Sequence, residues 1–307
     1  MLKRCSVIGG SYGLGAGIRA AKDGPRALRD AGLIERLKAL GVSVVDLGDQ
    51  AEPSGSGSPG DPKLKNLEAL LEFSAQFGPR CEAAWLSSDF LLVLGGDHSI
   101  SISSIAYAAR AVKAIYGENA ELGVLWVDAH GDVHTRETTP SGNIHGMALS
   151  ALLGFGDSRL CGIGGGDLVP KIKPDNVAYI GVRDLEVEER EFIRRERIAC
   201  FTMKEVDLLG IGEVCRRAYE RVSRNTVAFI VSLDLDACDP EVTPAVGTGV
   251  RGGLTWREVQ LIVEMAAENT KFRSLELIEY APERDVSGRT GELGISLAES
   301  GLGKVIL

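Results

Sequence analysis

LGVLWVDAHGDVHT, residues 122–135, begins as an unbroken apolar run and ends with Asp128, His130, Asp132 and His134 at every second position. An apolar run without alternation is what a strand buried on both faces requires, and such strands belong to parallel sheets sheathed by helices. In an extended chain, alternate side chains project from one face, so the four polar residues are expected to converge just beyond the strand. Two carboxylates and two imidazoles buried without partners would cost roughly several kcal/mol per group, which makes a cation the natural partner.

The same alternation of element types extends outward along the chain. Strand-like runs recur at 42–49, 90–97, 122–130, 176–184, 226–236 and 272–282, with shorter ones at SVIGG and RIACF. Helical patterns lie between them, as in DGPRALRDAGLIERLKALG, KLKNLEALLEFSAQF, ISSIAYAARAVKAIYG, VEEREFIRRER and TWREVQLIVEMAAEN. Apolar strands separated by helices predict a parallel sheet covered on both faces. EPSGSGSPGDP, residues 52–62, is the strongest breaker and reads as a mobile surface loop within one domain.

Composition narrows the class. A chain of 307 residues with 44% hydrophobic content can bury a sizeable core. No segment approaches the ~20 apolar residues of a membrane span, and nothing in the sequence directs the chain out of the cytoplasm. Six cysteines without a CxxC pair read as reduced, structural thiols. A net charge of −9 argues against a nucleic-acid partner, whose phosphates need a basic face.

GGDHS, DAHGD, GVRD, DLDACD and EYAPE each follow an apolar strand, and all four histidines (98, 130, 134 and 145) lie in or beside these strand ends. The carboxyl edge of a parallel sheet is where ligands bind. Taken singly, the Asp234-x-Asp236 pair reads as a solvated turn or helix cap, and GGDH as a tight turn. Together, Asp128-x-His130-x-Asp132, the Asp234/Asp236 pair and His98 supply six oxygen or nitrogen ligands at three strand ends, which reads as a metal site. Two imidazoles among four carboxylates suit manganese, with cobalt, nickel or zinc as replacements. Six side chains are too many for one ion with an open position; bridging carboxylates would hold two ions ~3.5–4 Å apart, where a shared water ionises near neutral pH. A metallophosphoesterase uses related chemistry, but its pattern needs Asp-x-His first and further histidines downstream, and no histidine follows residue 145.

The chain resembles the arginase-type ureohydrolases. DGPRALRDAGL, GGDHS, WVDAHGD, TTPSGNIHG, YIGVRD, SLDLDACDP, VGTGVRGGLTWRE and LIEYAP occur in that family's order, and TTPSGNIHG looks like the arginase branch more than the agmatinase branch. The resemblance implies a single α/β domain over 1–307, with an eight-stranded parallel sheet and helices on both faces, assembled as a trimer or hexamer. It implies two Mn²⁺ ions per subunit, one held by His98, Asp128, Asp132 and Asp234, the other by His130, Asp128, Asp234 and Asp236. It also implies hydrolysis of a small guanidino compound, with L-arginine giving L-ornithine and urea. Asp132 would pass a proton to the leaving amine, Glu279 would pair with the guanidinium, and His145 would shuttle protons, its plain alternative being a histidine in the first turn of the helix IHGMALSALL. The resemblance extends substrate binding to His134, Thr139, Ser141, Asn143, Asp184, Glu186, Glu189 and Thr248, and a subunit contact to Arg257 and Glu258.

Two positions depart from the family pattern: His134 stands where Asn is usual, and Glu186 where Asp is usual. Both fall in substrate recognition, which keeps agmatine, guanidinobutyrate or another guanidino acid as alternative substrates. A catalytically silent relative kept for binding is the alternative from a different class.

Overall fold

The computed structural model describes residues 4–54 and 60–305. Of the glycine- and serine-rich loop expected at 52–62, residues 55–59 lie outside the described residues. Eight strands are present: β1 (Arg4–Ser11), β2 (Ser43–Ala51), β3 (Phe90–Leu94), β4 (Leu122–Val127), β5 (Val177–Val182), β6 (Ala199–Thr202), β7 (Ala228–Asp234) and β8 (Phe272–Ile278). They form one sheet in the order β2-β1-β3-β8-β7-β4-β5-β6. Every pairing is parallel. This is the single α/β sheet domain expected from the apolar runs.

The two-sided burial of the strands explains those runs. In β3, Leu91 and Val93 enter the core on one face while Leu92 and Leu94 enter the core on the other. In β4, Val124 and Trp126 divide from Leu125 and Val127 in the same way. Helices Leu67–Ser87 and Ser101–Tyr116 cover the first face, and helices Ile211–Ser223, Trp256–Ala267 and Arg289–Gly301 the second.

Helix boundaries differ from expectation in two places. The run 23–41 forms two helices, Gly24–Asp30 and Leu33–Ala39, broken at Ala31–Gly32. The helix expected at 63–77 instead spans Leu67–Ser87 and continues through Gly78 and Pro79. Gly78 serves packing here: a Cβ at that position would lie 2.1 Å from the Tyr107 ring of the facing helix. Among the described residues, no helix is long and apolar enough to cross a membrane.

Strand order places the site. β3 and β4 are consecutive in sequence, yet β8 and β7 lie between them. β7 leads on to its neighbour β8 on one side and β4 leads on to its neighbour β5 on the other, so the connections diverge between β7 and β4, and the carboxyl ends of β3, β8, β7 and β4 lie side by side there.

Candidate metal centre

β4 ends at Val127, so Asp128 to His134 do not continue the strand. The expected convergence of alternate residues is reached through a bend at 129–130 and a left-handed Asp132, with φ of 52°. It gathers three of the four residues; His134 lies elsewhere. Asp132 and Glu279 (φ 64°) are two of the four non-glycine residues with positive φ among those described. Such backbone costs of order 1–3 kcal/mol each and persists where surrounding contacts fix it. For Glu279 those contacts are explicit: its N–H donates to the Gly96 carbonyl at 2.9 Å, and its Oε1 accepts from the His98 N–H at 3.0 Å. Gly96 permits the turn before His98 because a Cβ there would lie 1.8 Å from the Tyr12 carbonyl oxygen.

Two clusters share Asp128. In the first, His98 Nδ1 lies 3.1 Å from Asp128 Oδ2, 3.1 Å from Asp132 Oδ2 and 3.2 Å from Asp234 Oδ2. In the second, His130 Nδ1 lies 3.4 Å from Asp128 Oδ1 and 3.2 Å from Asp236 Oδ2. The two oxygens of Asp128 thus face different imidazoles. Trp126 anchors this residue: its Nε1 donates to Asp128 Oδ2 at 3.0 Å, and its ring stacks on His98 with centroids 4.1 Å apart. Asp234 Oδ1 accepts the Asp236 N–H at 2.7 Å, and Thr248 Oγ1 donates to Asp236 Oδ2 at 2.8 Å.

The donor set fits cations. Three carboxylate oxygens surround His98 Nδ1, yet none lies where a ring N–H would point, and this buried nitrogen makes no hydrogen bond. A lone pair at Nδ1 and a cation among the four atoms would satisfy all of them. Electrostatics agrees. Burial opposes charge on His98 and His130, but their carboxylate partners outweigh it and raise both imidazoles above their ordinary value. Burial, then the charge of Asp128, raises Asp132, and burial with Asp236 and Asp128 raises Asp234. Asp128 moves the other way, because the nearby imidazoles of His130 and His98 outweigh its own burial cost. So many buried acids in one place call for added positive charge.

The opposite edge of His98 is fixed from inside the sheet. Its Nε2 lies 3.1 Å from Ser232 Oγ, whose hydroxyl is 2.8 Å from Glu276 Oε2. Glu276 also accepts from Ser101 Oγ at 2.7 Å and from Ser104. Burial raises the Glu276 carboxyl while these hydroxyls oppose the shift. With Ser232 donating to Glu276, its oxygen accepts from His98 Nε2–H, which leaves Nδ1 free to face the carboxylates. Sequence reasoning missed Glu276 and Ser232. The available signal was a charged residue in the middle of the buried strand FRSLELI.

A cavity of ≈ 160 Å³ opens over the clusters, lined by His130, Asp132, His134, Pro140, Ser141, His145, Gly146, Glu186, Glu189, Asp234 and Thr248. His145 Nδ1 lies 3.1 Å from Glu279 Oε1. Burial would lower this imidazole, but Glu279 outweighs it and raises it to about 9. His134 meets Glu186 and Glu189 at the cavity wall. Burial raises the Glu189 carboxyl to about 7, against the pull of His134. Thr139, Asn143 and Asp184 are absent from the lining. Thr139 Oγ1 accepts the Gly142 N–H at 2.9 Å, Asn143 Oδ1 is 3.5 Å from Lys65 Nζ, and Asp184 is exposed. The adjacent Arg183 instead ties down the second cluster, donating to the carbonyls of Asp236, Ala237 and Cys238 at 2.8–3.1 Å. Arg257 pairs with Glu264 of its own helix, and Glu258 caps that helix with Thr255.

A sequence model of the Arginase family matches residues 3–303. The chain is 43% identical over 310 residues to the arginase of Bacillus caldovelox, covering all of both chains. It superposes on a solved structure of that arginase with a TM-score of 0.93 at 42% identity, again over both full chains. It is also similar to an Entamoeba histolytica arginase solved in complex with L-ornithine, with a TM-score of 0.90 and 27% identity, covering 99% of this chain and 100% of that one.

Proposed function

Because the chain belongs to the arginase family, we propose that it hydrolyses L-arginine to L-ornithine and urea with two Mn²⁺ ions per subunit. The reaction type is that of a ureohydrolase. The observation that carries the reading is the pair of His–carboxylate clusters sharing Asp128, which reach the cavity through His130 and Asp234. His98, Asp128, Asp132 and Asp234 would hold one ion, and His130, Asp128, Asp234 and Asp236 the other. When bound, the ions supply Lewis acidity that makes hydroxide available from water near neutral pH.

The remaining work falls to side chains. Glu279, fixed through His98 N–H and His145, offers a carboxylate to the planar guanidinium, which carboxylates match bidentately. Addition of water oxygen to the guanidinium carbon makes that carbon tetrahedral, and its bond to the side-chain nitrogen then breaks as this nitrogen is protonated, giving urea and an amine. Asp132, which lines the cavity beside His98, would take the proton released from water and pass it to that departing nitrogen. His145, on the cavity wall beside Glu279, exchanges protons with solvent. Thr248 holds Asp236 in place through its hydroxyl.

Substrate recognition is proposed for His134, Ser141, Glu186 and Glu189, which line the cavity, and for Thr139, Asn143 and Asp184 through the loops that carry them. Glu186 and Glu189 provide negative charge for an α-ammonium, while His134 and Ser141 offer hydrogen-bond donors to an α-carboxylate. The chain is proposed to act in the cytoplasm, since its cysteines show no disulfide-type spacing. A substrate panel scored by urea release tests the reading. Agmatine has no carboxylate for these donors, and unpaired buried donors reject an analogue strongly, so its kcat/KM should be lower than that of L-arginine by roughly 10²–10⁴. Equal use of agmatine contradicts the carboxylate reading.

A further inference from the structure

At the cavity wall, His134, Glu186 and Glu189 form a third group, whose ligand atoms lie within 4.8 Å of one another. His134 is positioned from outside the group, while Glu186 and Glu189 hold each other through the capping box of helix Val187–Arg195. His134 Nδ1 lies 3.1 Å from Thr138 Oγ1, and the same oxygen accepts the Thr135 N–H at 2.9 Å. Glu189 is buried in the first turn of helix Val187–Arg195, where Oε2 accepts the Glu186 N–H at 3.2 Å. Both carboxylates face one atom: Glu186 Oε2 contacts His134 Nε2, and Glu189 Oε2 lies 3.9 Å from it.

This arrangement has the features of a metal-binding triad. When His134 gives its Nδ1–H to Thr138, its Nε2 lone pair points between two carboxylates, and a cation satisfies all three groups. An imidazole whose other nitrogen is held by a hydrogen bond is the usual form of a metal-ligating histidine. One nitrogen and two oxygens repeat the donor ratio of the two clusters, and three protein ligands that leave a coordination position for water are the count of an open zinc site. The His134 and Glu189 side chains are 8% and 6% exposed, whereas Glu186 is 53% exposed, so the group has a fixed base and an entry from solvent.

We propose that His134, Glu186 and Glu189 bind a third divalent cation of the zinc class, and that this ion shuts substrate out of the cavity. Binding follows from the triad itself. Only the exclusion rests on the proposed function, in which Glu186 and Glu189 receive the substrate's α-ammonium. Ion and substrate then compete, so zinc raises KM without changing kcat. At free zinc tenfold above its dissociation constant, the apparent KM rises about tenfold by mass action.

The test begins with protein carrying two manganese ions per subunit, titrated with zinc chloride and desalted before both metals are counted. The expected result is one zinc per subunit with both manganese ions retained. Zinc should be lost in His134→Asn and in Glu186→Ala while manganese stays; the second variant, at a half-exposed side chain, guards against misfolding of the first. Zinc entering only in exchange for manganese, or persisting in both variants, overturns the site. Metal counting needs no turnover: a protein that takes up the third ion but releases no urea from L-arginine before zinc is added supports the site and refutes the function. A KM unmoved by bound zinc overturns the exclusion.

Discussion

Ser232→Ala removes one oxygen atom at a place where two fully buried groups depend on it. Glu276 loses one of three hydroxyl donors and keeps Ser101 at 2.7 Å together with Ser104. His98 loses the acceptor 3.1 Å from Nε2. Its Nε2–H is then buried without a partner, at a cost of about 1–3 kcal/mol. Alternatively the proton moves to Nδ1 and removes the lone pair that faces the cation. Either outcome falls on the ion-bound state. At about 1.4 kcal/mol per factor of ten, manganese at the His98 cluster should bind roughly 5- to 140-fold more weakly. Competition against a chelator of known affinity, resolving the two ions, measures the loss. Ser101→Ala is the control, since it takes a donor from Glu276 and leaves the 3.1 Å contact of His98 with Ser232 intact. It should lower the melting temperature with little effect on manganese. Equal weakening in both variants, or none in Ser232→Ala, would refute the claim that Ser232 sets the His98 tautomer.

Two further outcomes are expected. His145 is raised to about 9 by Glu279, so the stability it contributes is complete below the ordinary histidine value of ~6.5 and is lost as pH rises through the folded value. The melting-temperature gap between metal-free wild type and His145→Asn should therefore narrow from about pH 7 to about pH 10; a constant or widening gap contradicts this. The family resemblance also leads us to propose a trimer or hexamer, although Arg257 and Glu258 are engaged within their own helix. Light scattering at micromolar protein should report three or six subunits, and a monomer overturns the assembly.

How much of this was legible in the sequence depended on how local the causes were. Strand existence was legible because burial on both faces writes an unbroken apolar run, as in LGVLWV. Strand ends were read too late: β3 stops at Leu94 and β4 at Val127, because the polar residues that follow leave the ladder to reach the site. Helix Arg289–Gly301 was not singled out, since Gly291, Gly294 and Gly301 lower its apparent propensity. That His98, Asp128, His130, Asp132, Asp234 and Asp236 come together was legible because strand ends concentrate them at one edge. Glu276 and Ser232 were not, because their pairing joins β7 to β8 across the sheet. His134 followed the alternate spacing of Asp128, His130 and Asp132 but not their fate, since the chain turns at left-handed Asp132 and sends it to Glu186 and Glu189.

Two ions sharing Asp128 are proposed to carry the ureohydrolase reaction of this chain. Urea release from L-arginine, followed while metal-free protein is loaded stepwise with manganese, tests it directly. The account predicts that the rate reaches its maximum only as the second ion per subunit binds, and that Asp128→Asn loses both the second ion and the activity. Full activity at one ion per subunit, two ions with normal turnover in Asp128→Asn, or no urea at any loading would contradict it.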